Sequence, residues 1–479
     1  MASFQALPGF RDFYPEDLAV RAYIFGVWRD VARRYGFQEY DGPPLEPLEL
    51  YTEKSGPEIV QQLYNFTDKG GREVALRPEM TPTLARMAGA RAGGLRKPIK
   101  WFSLPQLFRY ERQQRGRLRE HFQLNLDIIG EDDVSADAEL LAAAIDILRG
   151  YGLSEKDFVA RVSDRRLLRA LLLHAGVPED RLTVVYNIVD KLERETREAL
   201  SRRLTDEAGL GAEVAGAVLD VFRHKDFEAL KAAYFGSADK DGFWIEIGDD
   251  GDGGDALGLS FPAELDFEDE GELEIPERSE ADVRIMGELV EAVNRMEAYF
   301  GHLRAMGLGD FVRFDLSVVR GLAYYTGIVF ELFDVAGELR AICGGGRYDN
   351  LLKTVSGVDL PALGFGMGDV VLKELLADRG LLPAAKHALD YYLVAVTPEQ
   401  RDALLGLAHA LRDAGRSVEY ALRHQGVGKQ FKNASALGAR RVVVLGPDEV
   451  AEGVAQVKDM ETGEERRVPL LELVAAPGA

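Results

Sequence analysis

Residues 108–129 read FRYERQQRGRLREHFQLNLDII, and the prediction of the fold starts from this segment. Apolar and polar residues alternate along its second half, which predicts a β-strand over 121–129 with one face packed on a core. The opposite face then carries polar side chains, namely His121, Gln123, Asn125 and Asp127. Two interpretations of this face stay open: it is the floor of a polar cavity, or it is the solvated outer face of an antiparallel sheet.

A second strand is predicted over 107–112, where Arg109 and Glu111 share one face. An Arg- and Gln-rich turn around Gly116 joins it to the strand at 121–129, which predicts an antiparallel hairpin. Five arginines lie between positions 109 and 119. Their guanidinium groups match phosphate oxygens, so the turn is a candidate for polyphosphate or RNA binding. An exposed basic loop, balanced by acidic residues elsewhere, explains the same cluster.

Strand and helix patterns outside this hairpin divide the first four fifths of the chain into three regions. Residues 1–163 and 311–383 carry the strand patterns, and a mainly helical region over 164–310 lies between them. The helical region contains a run, 246–280, that holds 14 acidic residues and one basic residue. We expect this acidic run to be a surface loop.

The pattern changes after a linker predicted at 384–388. Strands and helices alternate from residue 389 to residue 479, which predicts a separate α/β domain with a largely parallel sheet. The chain therefore combines two architectures, one built on antiparallel hairpins and one on βαβ units.

Charge and cysteine content exclude several classes of protein. The net charge of −22 argues against a general DNA-binding protein, because an acidic surface repels phosphate. The single cysteine, Cys343, excludes a disulfide framework and a cysteine-rich zinc site, and it fits a reducing cytosol.

Neither a secretion signal nor an apolar run of membrane-spanning length occurs, so we expect a cytoplasmic protein without a membrane partner. The sequence also lacks a P-loop and an HExxH motif, and no metal site formed by protein side chains is predicted.

Seven motifs, taken together, resemble those of the histidyl-tRNA synthetases, a family of class II aminoacyl-tRNA synthetases. In chain order they are GFRDFYP at 9–15, GPPLE at 42–46, RPEMTPTLAR at 77–86, FRYERQQRGRLREHFQ at 108–123, RGLAYYTGIVFE at 320–331, GGGRYD at 344–349 and KQFKNASALGARRVVVLG at 429–446. The FRYER and GRxRE patterns are typical of class II as a whole, whereas RGLxYYTG is specific to the histidine enzymes and their paralogues.

The resemblance implies an α+β fold with a class II catalytic domain, in which helices flank an antiparallel sheet. Residues 1–163 and 311–383 form that domain, residues 164–310 are a helical insertion, and residues 389–479 are a C-terminal α/β anticodon-binding domain. The implied activity converts L-histidine and ATP, with Mg²⁺ bound to the ATP, to histidyl-adenylate and pyrophosphate. It then transfers the histidyl group from the adenylate to the 3′ end of tRNA(His). A homodimer with Pro43 near its interface is also implied.

The resemblance further assigns roles to individual residues. The catalytic residues are Arg109, at the α-phosphate, and Arg320. The other residues implied in ATP binding are Glu111, Arg117 and His121, the last at the position of an adenine-stacking phenylalanine. The residues implied in histidine binding are Glu79, Thr81, Gln123, Asp127, Tyr324, Tyr325 and Gly345. The residues expected to contact tRNA are Arg423, Lys429 and Lys432.

One departure from the family pattern affects ATP binding. The third class II motif usually ends in an arginine, whereas this chain has Val371 there. We expect another arginine, Arg347, to take its place.

A different class of function remains as the alternative. A non-catalytic paralogue of the family senses histidine as a regulatory subunit of ATP phosphoribosyltransferase. That paralogue generally lacks the C-terminal domain and loses the catalytic arginines, whereas this chain has residues 389–475 and keeps Arg109 and Arg320. The absent arginine at position 371 is the one feature that favours it.

Overall fold

The chain folds into two compact units, residues 1–382 and 383–479. The computed structural model describes residues 4–55, 57–110, 116–192, 194–235, 244–249, 255–260, 280–318, 324–383 and 389–475. None of the helices within these ranges combines the length and the apolar character that a membrane span requires.

The first unit contains the following strands: β1 (Gln38–Glu39), β2 (Leu45–Pro47), β3 (Asn65–Thr67), β4 (Glu73–Leu76), β5 (Ile99–Ser103), β6 (Gln106–Phe108), β7 (Glu120–Ile129), β8 (Phe158–Asp164), β9 (Trp244–Asp249), β10 (Asp255–Ser260), β11 (Val312–Phe314), β12 (Ile328–Asp334), β13 (Cys343–Arg347) and β14 (Ala362–Gly368). Its α-helices are α1 (Pro15–Arg34), α2 (Glu49–Ser55), α3 (Thr81–Arg91), α4 (Val134–Gly150), α5 (Arg165–His174), α6 (Leu182–Val189), α7 (Arg197–Asp206), α8 (Ala212–Val221), α9 (Phe227–Phe235), α10 (Glu280–Ala305), α11 (Leu351–Ser356) and α12 (Asp369–Asp378). Short 3₁₀ turns lie at Pro57–Gln62, Ala92–Gly94, Glu179–Arg181 and Gly309–Phe311.

A sheet of nine strands forms the centre of the first unit. Its strand order is β1-β5-β7-β14-β13-β12-β8-β11, and β6 pairs with β7 beside this path. All pairs from β5 to β8 are antiparallel, and only the outer pairs β1–β5 and β8–β11 are parallel. The antiparallel sheet predicted from the hairpin is therefore confirmed.

Strand β7 separates the core of the first unit from its polar face. Leu124, Leu126 and Ile128 are fully buried and belong to the main hydrophobic core. Helix α4 packs on this face through its Leu- and Ala-rich side, and it begins where the Asp133 carboxylate accepts a hydrogen bond from the Ser135 N–H at 2.8 Å. The alternation along 121–129 thus produces one buried face and one face open to the site.

Of the strand predicted at 107–112, residues 111 and 112 lie outside the described residues, and the described part is strand only as far as Phe108. Strand β6 ends at Phe108, although the Arg109 N–H still donates to the Arg119 carbonyl oxygen across the hairpin at 2.9 Å. The Tyr110 N–H turns away and donates to the carbonyl oxygen of Gln62 at 2.9 Å. Tyr110 is thus bonded to another segment and not to the opposite strand, and sequence alternation carries no information about such a bond.

The described helices of the predicted insertion, α5 to α10, share their buried side chains with the core of the sheet. The acidic run was predicted to be a surface loop, and this prediction is wrong for part of the run. Its residues 246–249 and 255–260 belong to the antiparallel pair β9 and β10. Ile245 and Ile247 stand opposite Leu259 and Leu257 in that pair, so apolar alternation prevails over acidic composition there. The remainder of the run, apart from Glu280, lies outside the described residues.

The second unit is a five-stranded sheet with helices. Its strands are β15 (Leu389–Ala395), β16 (Val418–Tyr420), β17 (Ala439–Leu445), β18 (Val454–Asp459) and β19 (Glu465–Pro469), in the order β16-β15-β17-β18-β19. Its helices are α13 (Arg401–Asp413), α14 (Val427–Ala436), α15 (Pro447–Glu452) and α16 (Leu470–Ala475), with a 3₁₀ turn at Pro398–Gln400. The linker predicted at 384–388 lies outside the described residues.

Only part of this second sheet is parallel. Strands β15, β16 and β17 are parallel, as the βα alternation predicts, whereas β18 and β19 are antiparallel. For the β18–β19 pair the reason is a tight turn between the two strands, in which the N–H groups of Glu461 and Thr462 both donate to the Asp459 carboxylate at 3.0 Å. The prediction of a largely parallel sheet is corrected to a mixed sheet.

Candidate active site

Two glycines of β14 open the polar face of β7. Gly364 and Gly366 pair with Asp127 and Asn125 across the two strands. A Cβ atom on Gly364 would meet the Asp127 carboxylate, and one on Gly366 would meet the side-chain amide of Gln123. Because glycine has no side chain, these polar groups of β7 can lie across the neighbouring strand.

A small pocket of about 100 Å³ lies over these strands. Six of the seven residues implied in histidine binding line it, together with other polar groups and glycines. The lining residues are Glu79, Thr81, Arg109, Gln123, Asn125, Asp127, Tyr324, Tyr325, Gly344, Tyr348, Gly364, Phe365 and Gly366. The sequence interpretation of the polar face as the floor of a cavity is therefore confirmed over its solvated alternative.

Phenols and a carboxylate set the chemistry of this small pocket. Tyr348 donates a hydrogen bond to Asp127, and the phenol oxygens of Tyr324 and Tyr325 are 3.4 Å apart. Burial raises the pKa of Tyr325 to about 12 and raises the pKa of Tyr348 well above its ordinary value, in the latter case with the charge of Asp127. Both phenols are therefore neutral at physiological pH and can donate or accept hydrogen bonds.

The segment that supplies Glu79 and Thr81 is fixed by a buried arginine. Arg77 forms an ion pair with Asp41 at 2.7 Å and donates to the carbonyl oxygens of Gly42 at 2.8 Å and Gln106 at 3.0 Å. Arg109 holds the next residue, since its Nε atom donates to the carbonyl oxygen of Pro78 at 3.0 Å. The position of this segment thus depends on contacts from two separate parts of the sequence, residues 41–42 and 106–109.

A second cavity of about 820 Å³ adjoins the small pocket and has a size typical of ligand sites. Arg109, Gln123, Gly344 and Gly366 line both cavities, so the two spaces share a wall. The side chains that carry charge or can be protonated in the larger cavity are Arg109, Arg117, His121, Arg194 and Arg340. No acidic residue lines it among the described residues.

The guanidinium groups around the larger cavity act on one another electrostatically. Burial, then the charge of Arg340 and then that of Arg109, lowers the pKa of Arg117. Burial and the charges of Arg109, Arg11 and Arg117 lower the pKa of His121 to about 3. Positive charges held this close in one cavity favour a polyanionic ligand, which relieves their repulsion. His121 presents a neutral ring there.

The lowered pKa of His121 predicts a specific dependence of stability on pH. Because the pKa is about 3 in the folded state and 6.5 in the unfolded state, the unfolded chain binds an additional proton between these values. His121 therefore costs no stability above pH 6.5 and destabilises the fold progressively below it. We expect His121→Phe to remove a penalty of about 2 kcal/mol at pH 5. Urea unfolding at pH 8 and pH 5 measures this, with the exposed His409→Gln as control, and an equal pH response in wild type and His121→Phe would contradict it.

The structure corrects the prediction that Arg347 contacts ATP. Arg347 is only 1% exposed, and its Nη2 atom lies 2.6 Å from the carboxylate of the equally buried Asp137 on α4. Its Nη1 atom also donates to the carbonyl oxygen of Glu131 at 2.9 Å. Since alternate residues of a strand point to opposite faces, Arg347 at the end of β13 faces α4 and not the cavity.

The buried pair of Arg347 and Asp137 should be important for stability. Asp137→Ala removes the closest and most buried carboxylate partner of Arg347, which keeps the longer contact with the partly exposed Asp349 at 3.3 Å. It also removes the contact of Arg295 at 3.1 Å. We expect a loss of about 3–5 kcal/mol in the free energy of unfolding, as for other broken buried pairs. Glu139→Ala on the same helix breaks a more exposed pair with Lys100 and should cost about 1 kcal/mol or less. Similar losses for the two variants in urea unfolding would refute this role.

Gly345 is a second correction. Strand register pairs Gly344 with Gly366 on the open face, whereas Gly345 stands opposite Phe365, on the face toward the core. Gly344 lines both cavities, and Gly345 lines neither. Neighbouring residues of a strand face opposite sides of the sheet, so Gly344 and Gly345 lie on different faces. In a run of three glycines, the sequence pattern does not indicate which of them faces the cavity.

Two predicted residues lie outside the described part of the chain. These are Glu111, in the hairpin, and Arg320, in the RGLxYYTG motif. In the second unit, the residues expected to contact tRNA are all exposed. Lys429 and Lys432 stand on α14, and Arg423 lies in the loop before it.

Three residues of the site were missed by sequence reasoning. Tyr348 is part of the GGGRYD motif, but its bond to Asp127 depends on the pairing of β13, β14 and β7. Arg194 and Arg340 line the larger cavity from a helical region and from a turn, and no motif marks either of them. Only the fold brings them to the site.

The architecture of the first unit is that of the class II aminoacyl-tRNA synthetases. The solved histidyl-tRNA synthetase of Nostoc sp. PCC 7120 has the same fold, with a TM-score of 0.76 over 99% of both chains at 23% identity. A Bacillus halodurans structure described as an ATP phosphoribosyltransferase regulatory subunit/histidyl-tRNA synthetase gives a TM-score of 0.69 at 20% identity, covering 93% of this chain and 99% of that one. Identities this low establish the fold alone, which confirms the predicted fold class.

Sequence comparison establishes the family. A family model described as Histidyl-tRNA synthetase matches residues 9–234 and 196–369, and one described as Anticodon binding domain matches residues 390–476. The Histidine--tRNA ligase of Opitutus terrae is 44% identical over 98% of this chain and 97% of its own. The chloroplastic/mitochondrial Histidine--tRNA ligase of Arabidopsis thaliana is 38% identical over 97% of this chain and 85% of its own. The chain belongs to the histidyl-tRNA synthetase family.

Proposed function

We propose that this chain activates L-histidine with ATP to histidyl-adenylate and transfers the histidyl group to the 3′ end of tRNA(His) in the cytoplasm. The proposal rests on the position of Arg109, which lines both the small polar pocket and the larger cavity. A carboxylate held in the first space therefore lies next to a phosphate held in the second, with a guanidinium at their shared wall.

The small pocket suits an imidazole ring and an amino acid backbone. A neutral imidazole has one N–H group and one lone pair, so Asp127 can accept at one ring nitrogen and the neutral phenol of Tyr325 can donate at the other. Glu79 supplies a carboxylate for the α-amino group, with Thr81 and Gln123 as further polar contacts. Because a site built on such hydrogen bonds discriminates strongly against analogues that lack them, this pocket favours histidine over apolar amino acids.

The larger cavity suits ATP. In the first step, an oxygen of the histidine carboxylate forms a bond to the α-phosphorus, and the bond from that phosphorus to pyrophosphate breaks. Arg109 stabilises the negative charge on the α-phosphate, and Arg117 binds outer phosphates. In the second step, the terminal ribose hydroxyl of the tRNA attacks the acyl carbon and AMP leaves. The roles of Glu111 in ATP binding and of Arg320 in charge stabilisation follow from the family resemblance.

Mg²⁺ enters this proposal as a part of the MgATP substrate. In the described ranges, no group of three or more His, Cys, Asp or Glu side chains could hold a metal ion. The lining of the larger cavity is basic, and the oxygens that Mg²⁺ prefers are supplied by the triphosphate itself.

Exchange of labelled pyrophosphate into ATP, measured with each of the twenty amino acids, tests the proposal. We expect exchange with histidine alone. Absence of exchange with every amino acid, together with histidine binding, would favour the regulatory-subunit alternative, which the valine at position 371 suggests. Exchange with another amino acid would contradict the assignment of Asp127 and Tyr325 to an imidazole.

The basic residues around α14 are proposed to bind the anticodon arm of the tRNA. Lys429→Ala combined with Lys432→Ala should raise the KM for tRNA without altering pyrophosphate exchange. The slope of log K against log salt should fall by about 1 for each lysine that contacts a phosphate. Arg466→Ala, an exposed change on β19, is the matched control. Equal loss of exchange and of charging would refute this assignment.

A homodimer is also proposed, with Pro43 near its interface. Light scattering should then give twice the chain mass of 52.9 kDa. A monomeric mass at the concentrations used for assay would exclude it.

A further inference from the structure

The larger cavity has a neutral residue at a position where the family pattern places a positive charge. Val371, at the start of α12, lines this cavity where the family pattern has an arginine. Gly116, in the turn of the hairpin, has a φ of +72°, and a Cβ placed on it would lie 3.4 Å from Val371 Cγ2 and 3.8 Å from Arg340 Cδ. The hairpin turn, Val371 and the Arg340 side chain therefore meet at one place.

The turn between β12 and β13 holds Arg340 in a defined position. The buried Asp334 carboxylate accepts hydrogen bonds from the N–H groups of Glu338 at 3.3 Å and Leu339 at 3.0 Å. The Ile342 N–H donates to the carbonyl oxygen of Leu332 at 2.7 Å and closes the turn on its other side. Arg340 lies between these anchored residues, so its backbone is fixed while its exposed side chain extends into the cavity.

We propose that Arg340 binds the outer phosphates of ATP and replaces, from a different strand connection, the guanidinium absent at position 371. This inference rests on the proposed function of the same cavity. It is supported by the position of the Arg340 Cδ beside Gly116 and Val371, and by the side chain of Arg117 in the same lining. The charge of Arg340 is also the largest electrostatic contribution that lowers the pKa of Arg117, which places the two guanidinium groups close together.

Two other arginines fit this role less well. Arg347 forms an ion pair with Asp137 on the opposite face of the sheet. Arg194 also lines the cavity, but the side-chain atoms nearest to the turn at Gly116 are those of Val371 and Arg340. A small neutral side chain at position 371 also has a physical reason, because a further guanidinium there would add a like charge beside Arg117 and Arg340.

Calorimetric binding of ATP and of AMP to the full chain tests the inference. We expect Arg340→Ala to weaken ATP binding roughly tenfold, as for one exposed charge-assisted contact, and to leave AMP binding and the KM for histidine unchanged. The double variant Arg340→Ala/Val371→Arg should regain most of the lost affinity for ATP. Arg313→Ala is the matched control, since this exposed arginine lies near Arg340 in an adjacent cavity and does not line the ATP cavity.

Three results of the calorimetry would overturn the inference: Arg340→Ala binds ATP as the wild type does, it loses affinity for ATP and AMP equally, or the double variant binds ATP as weakly as the single one. Pyrophosphate exchange distinguishes a failure of the proposed function from a failure of the role of Arg340. A wild type without histidine-dependent exchange overturns the proposed function. A wild type and an Arg340→Ala variant with equal exchange and equal KM for ATP overturn only the role of Arg340.

Discussion

Arg109→Ala is expected to lower the rate of histidine-dependent pyrophosphate exchange roughly 10²–10³-fold. This arginine is the charged side chain shared by the two cavities, and its Nε atom is fixed by the Pro78 carbonyl oxygen at 3.0 Å. Because it would act on charge that develops at the α-phosphate, the loss should be mainly in kcat and only modestly in the KM for histidine.

Two further variants sharpen this experiment. Arg109→Lys keeps the positive charge but loses the planar guanidinium that can bind two phosphate oxygens at once, so its rate should lie between those of Arg109→Ala and the wild type. Arg119→Ala is the matched control, because Arg119 belongs to the same hairpin but lies over the Tyr110 ring at 4.5 Å and lines neither cavity. Near-normal exchange by Arg109→Ala, or an equal loss in Arg119→Ala, would remove Arg109 from its proposed role.

Asp127→Ala is expected to raise the KM for histidine on the order of a hundredfold and to leave the KM for ATP unchanged. Asp127 is 4% exposed and is the carboxylate on the floor of the small pocket, where it accepts a hydrogen bond from Tyr348. Removing it takes away the acceptor for an imidazole N–H, and it also leaves the buried phenol of Tyr348 without this partner.

Tyr348→Phe separates these two effects. It removes the donor to Asp127 but keeps the carboxylate, so its effect on the KM for histidine should be well below that of Asp127→Ala. Initial rates of pyrophosphate exchange at varied histidine and varied ATP give both constants. A defect specific to ATP in Asp127→Ala would contradict the assignment of this pocket to the amino acid.

The structure brings together those predicted residues whose neighbours are close in sequence or belong to a motif, and their roles stay predictions. The polar face of β7 follows from alternation alone, and the motifs brought Glu79 and Tyr324 to the same pocket. The predictions failed for Gly345 and Arg347, since the face of β13 toward the cavity depends on its register with β14. Alternation cannot set that register in a run of glycines.

The antiparallel hairpin, the amphipathic strand β7, the α/β alternation of the second unit and the family are all predictable from the amino-acid sequence. Each of these depends on short-range periodicity or on a contiguous motif, which a linear chain displays directly. The pairing of Arg347 with Asp137, 210 positions away, and the approach of Arg340 to the hairpin turn at Gly116 become visible in the folded chain. Contacts between segments so far apart depend on how strands and helices pack, and no local pattern encodes that packing.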